Sequence, residues 1–216
     1  SKITNQPTFS VYTESTAFQE ESGIDLENLN VWSSCWGQDC HFSDSFPVIV
    51  KTFYPAVIMQ SNLPEFDRVV QIIRNPVDTI ESFYRMCQEV PWLASRRRAF
   101  EYHIKKEVGE YKKFYDYWRR FQADSEIPLL SVRYEDLLEN PEHTIRQIFN
   151  FLDISHLLEE ENFQQILAEE YREPNIGRAV MEYTEEQITQ MKSDLKAITE
   201  RHDYNALMER FQRYWK

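Results

Sequence analysis

Glycine is scarce in this chain: 216 residues hold only Gly23, Gly37, Gly109 and Gly177. Neither a glycine-rich phosphate loop nor a dinucleotide fingerprint can be written from them, since both need several glycines close together. No apolar run approaches the roughly 18 residues of a membrane-spanning helix. The opening SKITNQPTFSVYTES is too polar for the apolar centre of a signal peptide. Basic residues are outnumbered, 24 Lys and Arg against 36 Asp and Glu, for a net charge of −12. That balance argues against a nucleic-acid partner, because a general binder carries excess positive charge to neutralise phosphates. Any anion site must be local. There are three cysteines, Cys35, Cys40 and Cys87, and CWGQDC lacks the spacing and the second pair of a zinc site. Buried reduced thiols and a Cys35–Cys40 disulfide both stay open, with the odd third cysteine counting against the disulfide.

What is present points to a folded core. Hydrophobic residues make up 42% of the chain and aromatics 14%, enough to build one sizeable domain at this length. No internal repeat or low-complexity linker divides it, so residues 1–216 read as one domain, with a variable segment 1–45 and a regular core 46–216. Val48 to Thr52, bounded by Pro47 and Pro55, is a β-branched run that predicts a buried strand. Arg68 to Ile73 and Ile127 to Tyr134 predict two more, each followed by a helix. Asn75 can cap the first of those helices, with Pro76 at its first position and Asp78 where a capping-box acid falls. Val77, Ile80, Tyr84 and Cys87 then give it a core-facing stripe.

Three further helices are expected. One runs from about Ser95 to Phe121, with a stripe of Phe100, Ile104, Val108, Tyr111, Tyr115 and Trp118. A second opens at Asn140 and Pro141. A third is capped by Thr184 and Gln187 and extends to about Arg201. Strands alternating with helices predict an α/β fold, a parallel sheet flanked by helices. Three strands make a thin sheet.

In such a fold ligands sit beyond the carboxyl ends of the strands, near helix N-termini. In IIRNPVDTIESFY, Arg74 stands at that junction, and the following helix turns its positive end to the same space. Ser82, in the second turn, can add a hydroxyl. A phosphate-sized anion suits an arginine fork. The competing reading is an arginine paired with a neighbouring carboxylate and a serine bonded to its own backbone.

RNPVDTIESFY resembles the 3′-phosphate-binding segment of sulfotransferases that use 3′-phosphoadenosine-5′-phosphosulfate (PAPS). Three other segments in the same order strengthen the likeness. FPVIVKTFYP is similar to the family's Lys-Thr-His strand, VRYEDLLENPEHTIRQIFNFL to its Arg-Tyr-Glu-Asp-Leu segment, and IGRAVMEYTEEQITQM to its late Gly-x-Trp-x-x-x-Phe-Thr segment. The resemblance implies a P-loop-type α/β fold, PAPS or adenosine 3′,5′-bisphosphate as the nucleotide, and sulfonate transfer to a hydroxyl or amine without a metal. It implies that Arg74 and Ser82 hold the 3′-phosphate, that Tyr134 contacts the adenine region and that Arg172 also reaches the 3′-phosphate. REPNIG departs from the family's Arg-Lys-Gly triplet at that last point. Lys51 and Thr52 keep their places as structural residues.

Two departures bear on the chemistry. Phe53 stands where many members carry the histidine that takes the acceptor's proton, and a phenyl ring cannot act as a base. The 5′-phosphosulfate loop, which meets the charge on the transferring sulfonate, would fall before Ser1. That leaves the fold incomplete at its N-terminus, to be completed by a longer chain or a protein partner unless the loop is lost. The expected function is therefore PAPS-dependent sulfonate transfer or, alternatively, an inactive sulfotransferase-like domain serving as a structural or interaction subunit. In the enzyme reading the acceptor would meet Trp32, Trp36, Pro91 and Trp92. The histidines His41, His103, His143, His156 and His202 read as surface residues. The acceptor stays unspecified, as does the compartment, cytoplasm or Golgi lumen.

Overall fold

The computed structural model describes residues 8–10, 49–51, 67–158, 160–170 and 176–213. In chain order the elements are β1 (Thr8–Ser10), β2 (Ile49–Lys51), β3 (Val69–Ile73), α1 (Pro76–Glu89), α2 (Phe100–Asp124) and β4 (Leu129–Arg133). They continue with α3 (Tyr134–Glu139), α4 (Pro141–Phe151), α5 (Glu160–Glu170), α6 (Glu185–Asp194), α7 (Lys196–Arg201) and α8 (Asn205–Gln212). Short 3-10 turns occupy Pro91–Arg96, Ser155–Leu157 and Arg178–Glu182. The result is a mostly helical α/β fold with small parallel sheets, as the alternation of strands and helices predicts. Two compact units divide it, Ser1–Phe66 with Phe149–Glu170, and Asp67–Ile148 with Tyr171–Lys216.

In the first unit β1 and β2 run parallel, with Thr8 opposite Ile49 and Ser10 opposite Lys51. Phe149, Ile154 and Phe163 are buried. Asp153 takes a left-handed φ of 60° just after α4, a conformation that Asp tolerates better than most side chains.

The second unit carries the site. β3 and β4 pair in parallel, with Val69 opposite Leu129 and Ile73 opposite Arg133. Alternation along β3 turns Gln71 and Ile73 inward and leaves Ile72 54% exposed. Around the sheet, Val77 and Ile80 of α1, Ile104, Val108, Tyr111 and Tyr115 of α2, Ile188 and Met191 of α6, and Met208 and Phe211 of α8 form one core. Each fully buried aliphatic side chain contributes about 1.5–3 kcal/mol through apolar burial. Cys87 is buried as a thiol, whereas Cys35 and Cys40 lie outside the described residues.

α1 starts as its sequence predicts, with Pro76 in the first position and the Asn75 side chain accepting the Asp78 N–H at 2.9 Å. Thr184 and Gln187 form the expected capping box on α6. Three details differ. The predicted helix from Ser95 begins at Phe100, because Pro91–Arg96 first makes a 3-10 turn. The single long helix to Arg201 steps at Leu195, whose ψ of 11° leaves the helical range, into α6 and α7, and no glycine or proline marks the step. The segment after β4 is helical from Tyr134 itself, so Tyr134 opens α3 instead of ending a strand.

The outer face of α2 repeats basic pairs every seven residues, Lys105 and Lys106, Lys112 and Lys113, Arg119 and Arg120, all exposed. Lys113 pairs with Glu110 at 2.8 Å and Arg119 with Asp116 at 3.6 Å. Such exposed pairs contribute little to stability. His103 corrects the surface reading of the histidines. It is 1% exposed, because it falls three residues after Phe100 on the same helical face and lies against Phe83 and Tyr84 at 5.5 and 5.3 Å between ring centres. Burial lowers its pKa, and the Ile80 carbonyl offsets this in part.

Candidate functional site

The parallel register fixes the site's first feature. Ile73 pairs with Arg133, so the next residue on each strand, Arg74 and Tyr134, emerges side by side at the carboxyl edge. The Arg74 guanidinium carbon lies 5.0 Å from the centre of the Tyr134 ring, a cation–π arrangement. Among the described residues no carboxylate pairs with Arg74. An arginine held over an aromatic face and left without a counter-charge suits an anionic ligand.

Behind Arg74 lies a buried polar web. Asn75, 0% exposed, gives its backbone N–H to Glu135 Oε1 at 2.9 Å. Its side-chain amide donates to the same oxygen at 2.7 Å and to Asp78 Oδ2 at 2.8 Å. Tyr204 donates its hydroxyl to Glu135 Oε2 at 2.8 Å. Asp78 accepts the Gly177 N–H at Oδ2, 2.7 Å, and the Ala179 N–H at Oδ1, 3.3 Å. Tyr183 donates to the Val77 carbonyl at 2.8 Å. Burial is the main cause pushing the Tyr183 and Tyr204 hydroxyls above the usual tyrosine pKa, and the charge of Glu135 adds to the effect at Tyr204. Both therefore remain donors at working pH.

This web revises the expected helix start in two ways. Asp78 is not the acid of a capping box, because its carboxylate reaches out to the turn at Gly177 while Glu135 takes the Asn75 N–H. The first turn also presents fewer donors than a bare helix would. Pro76 has no N–H, Asp78's goes to Asn75, and Thr79's goes to the Asn75 carbonyl at 3.1 Å. Anion attraction here rests on Arg74 and the dipole of a 14-residue helix, worth about 0.3–1 kcal/mol at its end.

The other anticipated residues are placed differently. Ser82 is exposed on α1, and no hydrogen bond joins it to Arg74 among the described residues. Phe53, Thr52, Trp32, Trp36 and Arg172 lie outside the described residues, as does the side chain of Trp92. Sequence reasoning passed over Glu135, Tyr111 and Tyr204. Glu135 had a signal, an acid directly after a β-strand where burial requires partners. Tyr111 and Tyr204 had none, since a hydroxyl on an apolar stripe, as at Tyr111, reads as core, and Tyr204 caps a helix beyond the last one expected.

A largely apolar cavity of about 280 Å³ adjoins Arg74, lined by Ile72, Thr79, Phe83, Tyr111 and Phe114 among others. A smaller one of about 100 Å³ lies between α2 and α7, with Gln71, Trp118, Arg201 and His202 on its walls.

Comparison with known proteins finds a likeness over the middle of the chain. Residues 64–160 match the model of the sulfotransferase family, a span that contains Arg74, Ser82 and Tyr134 and ends before Arg172. The mouse protein sulfotransferase 6B1 is 36% identical over 93 residues, 41% of this chain and 30% of that relative. Mouse sulfotransferase 1A1 is 30% identical over 111 residues, 49% of this chain and 38% of that relative. Over this span the chain is similar to the sulfotransferase family, and it spans about a third of the length of these curated relatives. No solved structure matches it.

Proposed function

We propose that the chain binds the 3′-phosphate end of PAPS and serves sulfonate transfer from PAPS to a hydroxyl or amine. The observation that carries this reading is Arg74, stacked on Tyr134 at the carboxyl edge of β3 and β4, beside a helix N-terminus and without a carboxylate partner among the described residues. Arg74 is assigned to the 3′-phosphate and Tyr134 to the adenine region. Ser82 and Arg172 complete the proposed set. The cosubstrate supplies an activated sulfonate. The acceptor's oxygen or nitrogen attacks sulfur, the bond from sulfur to the phosphate oxygen breaks, and adenosine 3′,5′-bisphosphate leaves. The acceptor's proton needs a base, and Phe53 cannot supply one.

That phenylalanine supports a second reading, a sulfotransferase-type domain that keeps the nucleotide grip without the chemistry and acts as a structural or interaction subunit. Titration calorimetry with adenosine 3′,5′-bisphosphate tests the shared part. Arg74→Ala is expected to weaken binding by about 1.5–3 kcal/mol, the scale of a charged hydrogen bond. Absence of binding to the wild-type chain would overturn both nucleotide readings. Sulfonate transfer from PAPS to a panel of hydroxyl and amine acceptors then separates them, since only the enzyme turns over.

A further inference from the structure

The carbonyl of Arg74 and the N–H of Asn75 are the two polar ends of a single rigid peptide unit. Both ends are held by side chains far away in sequence. Tyr111, from α2, donates its hydroxyl to the Arg74 carbonyl at 2.5 Å. Glu135, from α3, accepts the Asn75 N–H at 2.9 Å. Because the two bonds pull from opposite edges of one plane, they fix its rotation, and with it the ψ of Arg74 and the φ of Asn75. The first angle sets where the guanidinium leaves the chain, and the second sets the cap of α1.

Tyr111 suits this task. Its ring is 8% exposed, and its hydroxyl also bonds the Tyr115 hydroxyl at 3.1 Å. Burial pushes it well above the usual tyrosine pKa, so the hydroxyl keeps its proton. Thr79 approaches the same carbonyl only at 3.4 Å, and it has a better acceptor in the Asn75 carbonyl at 2.7 Å.

We infer that Tyr111 is a positioning residue for the phosphate clamp, acting with Glu135 to lock the Arg74–Asn75 peptide so that the guanidinium is aimed before a ligand arrives. This rests on the proposed 3′-phosphate site. Preorganisation of this kind raises affinity by removing an ordering cost from binding.

The test compares the full chain with Tyr111→Phe, Tyr115→Phe and Arg74→Ala. Titration with adenosine 3′,5′-bisphosphate is run where all four are folded, alongside amide hydrogen exchange at Asn75. Tyr111→Phe is expected to bind about tenfold more weakly, the loss of one buried hydrogen bond, and to exchange the Asn75 amide faster. Tyr115→Phe breaks the same hydroxyl pair without touching Arg74, so it should keep wild-type affinity at a comparable loss of thermal stability. A purely structural Tyr111 would lower stability and leave the affinity of the folded protein unchanged. That result, or an equal affinity loss in Tyr115→Phe, overturns the positioning role while Arg74→Ala still upholds the phosphate site. A wild-type chain that does not bind the nucleotide, or binds it no better than Arg74→Ala, overturns the phosphate site itself and the positioning role with it.

Discussion

Asp78→Asn offers the sharpest test of the buried web, because it changes the charge and one acceptor while keeping the shape. Asp78 is 3% exposed and accepts three donors, Gly177 N–H at 2.7 Å, the Asn75 amide at 2.8 Å and Ala179 N–H at 3.3 Å. An asparagine can keep the first two on its single oxygen, but they fall from charged to neutral strength, a loss of about 1 kcal/mol each. Its NH₂ group would then face the Ala179 N–H and leave that donor unpaired, at a cost of about 1–3 kcal/mol. The expected loss is therefore roughly 3–5 kcal/mol, a large share of the about 5–15 kcal/mol that holds a typical domain. Urea unfolding followed by tryptophan fluorescence measures it, and a slope of about 1–3 kcal/mol/M turns the loss into a midpoint shift of about 1–5 M. Glu139→Gln, on the exposed end of α3, is the control. If Asp78→Asn moves the midpoint no more than the control does, the three bonds do not anchor Gly177 to α1 and the reasoning fails.

Three further outcomes follow from the structure. Gly177 has φ of 79°, and a Cβ there would run into the Phe211 ring; Gly177→Ala should cost about 1–3 kcal/mol from backbone strain alone, and an unchanged unfolding midpoint would contradict that conformation. Gly109 sits mid-helix in α2 with nothing within 4 Å of an added Cβ, so Gly109→Ala should stabilise by about 0.5–1 kcal/mol, and any loss would mean a neighbour the site does not have. Burial, with Arg201 and Arg133 nearby, lowers the His202 pKa to about 4 from an ordinary 6.5. The unfolded chain thus binds the extra proton between those values, and stability should be unaffected above about pH 6.5 and decline toward pH 4. With its partial exposure discounted, the decline should be about 1 kcal/mol; His202→Gln should remove it, and identical pH profiles for the two proteins would assign the acid loss elsewhere.

Much of the scaffold was legible because it obeys local rules. β3 and β4 lie within a residue or two of their β-branched runs, and the Asn75 cap and the Thr184–Gln187 box follow from side chains three residues apart. The step at Leu195 was not legible, since an unbroken helix would carry the same apolar spacing. For the candidate site, Arg74 could be found from its place after a strand and Tyr134 from its segment. Glu135, Tyr111 and Tyr204 depend on contacts across 60, 37 and 69 residues, and no local pattern encodes such a distance. Asp78 was found for one role and serves another, because a capping acid and a buried bridge look alike until the partner loop is in place.

β4 ends at Arg133 and α3 begins at Tyr134 with no residue between them, while β3 passes to α1 through Arg74 and Asn75 alone. An inserted residue at either junction would turn the ring away from the guanidinium and separate Glu135 from the amide it holds. This edge therefore tolerates substitution but not a change of length. Relatives that share the clamp should vary the lengths of their connections in other parts of the chain, and their differences in specificity should lie there.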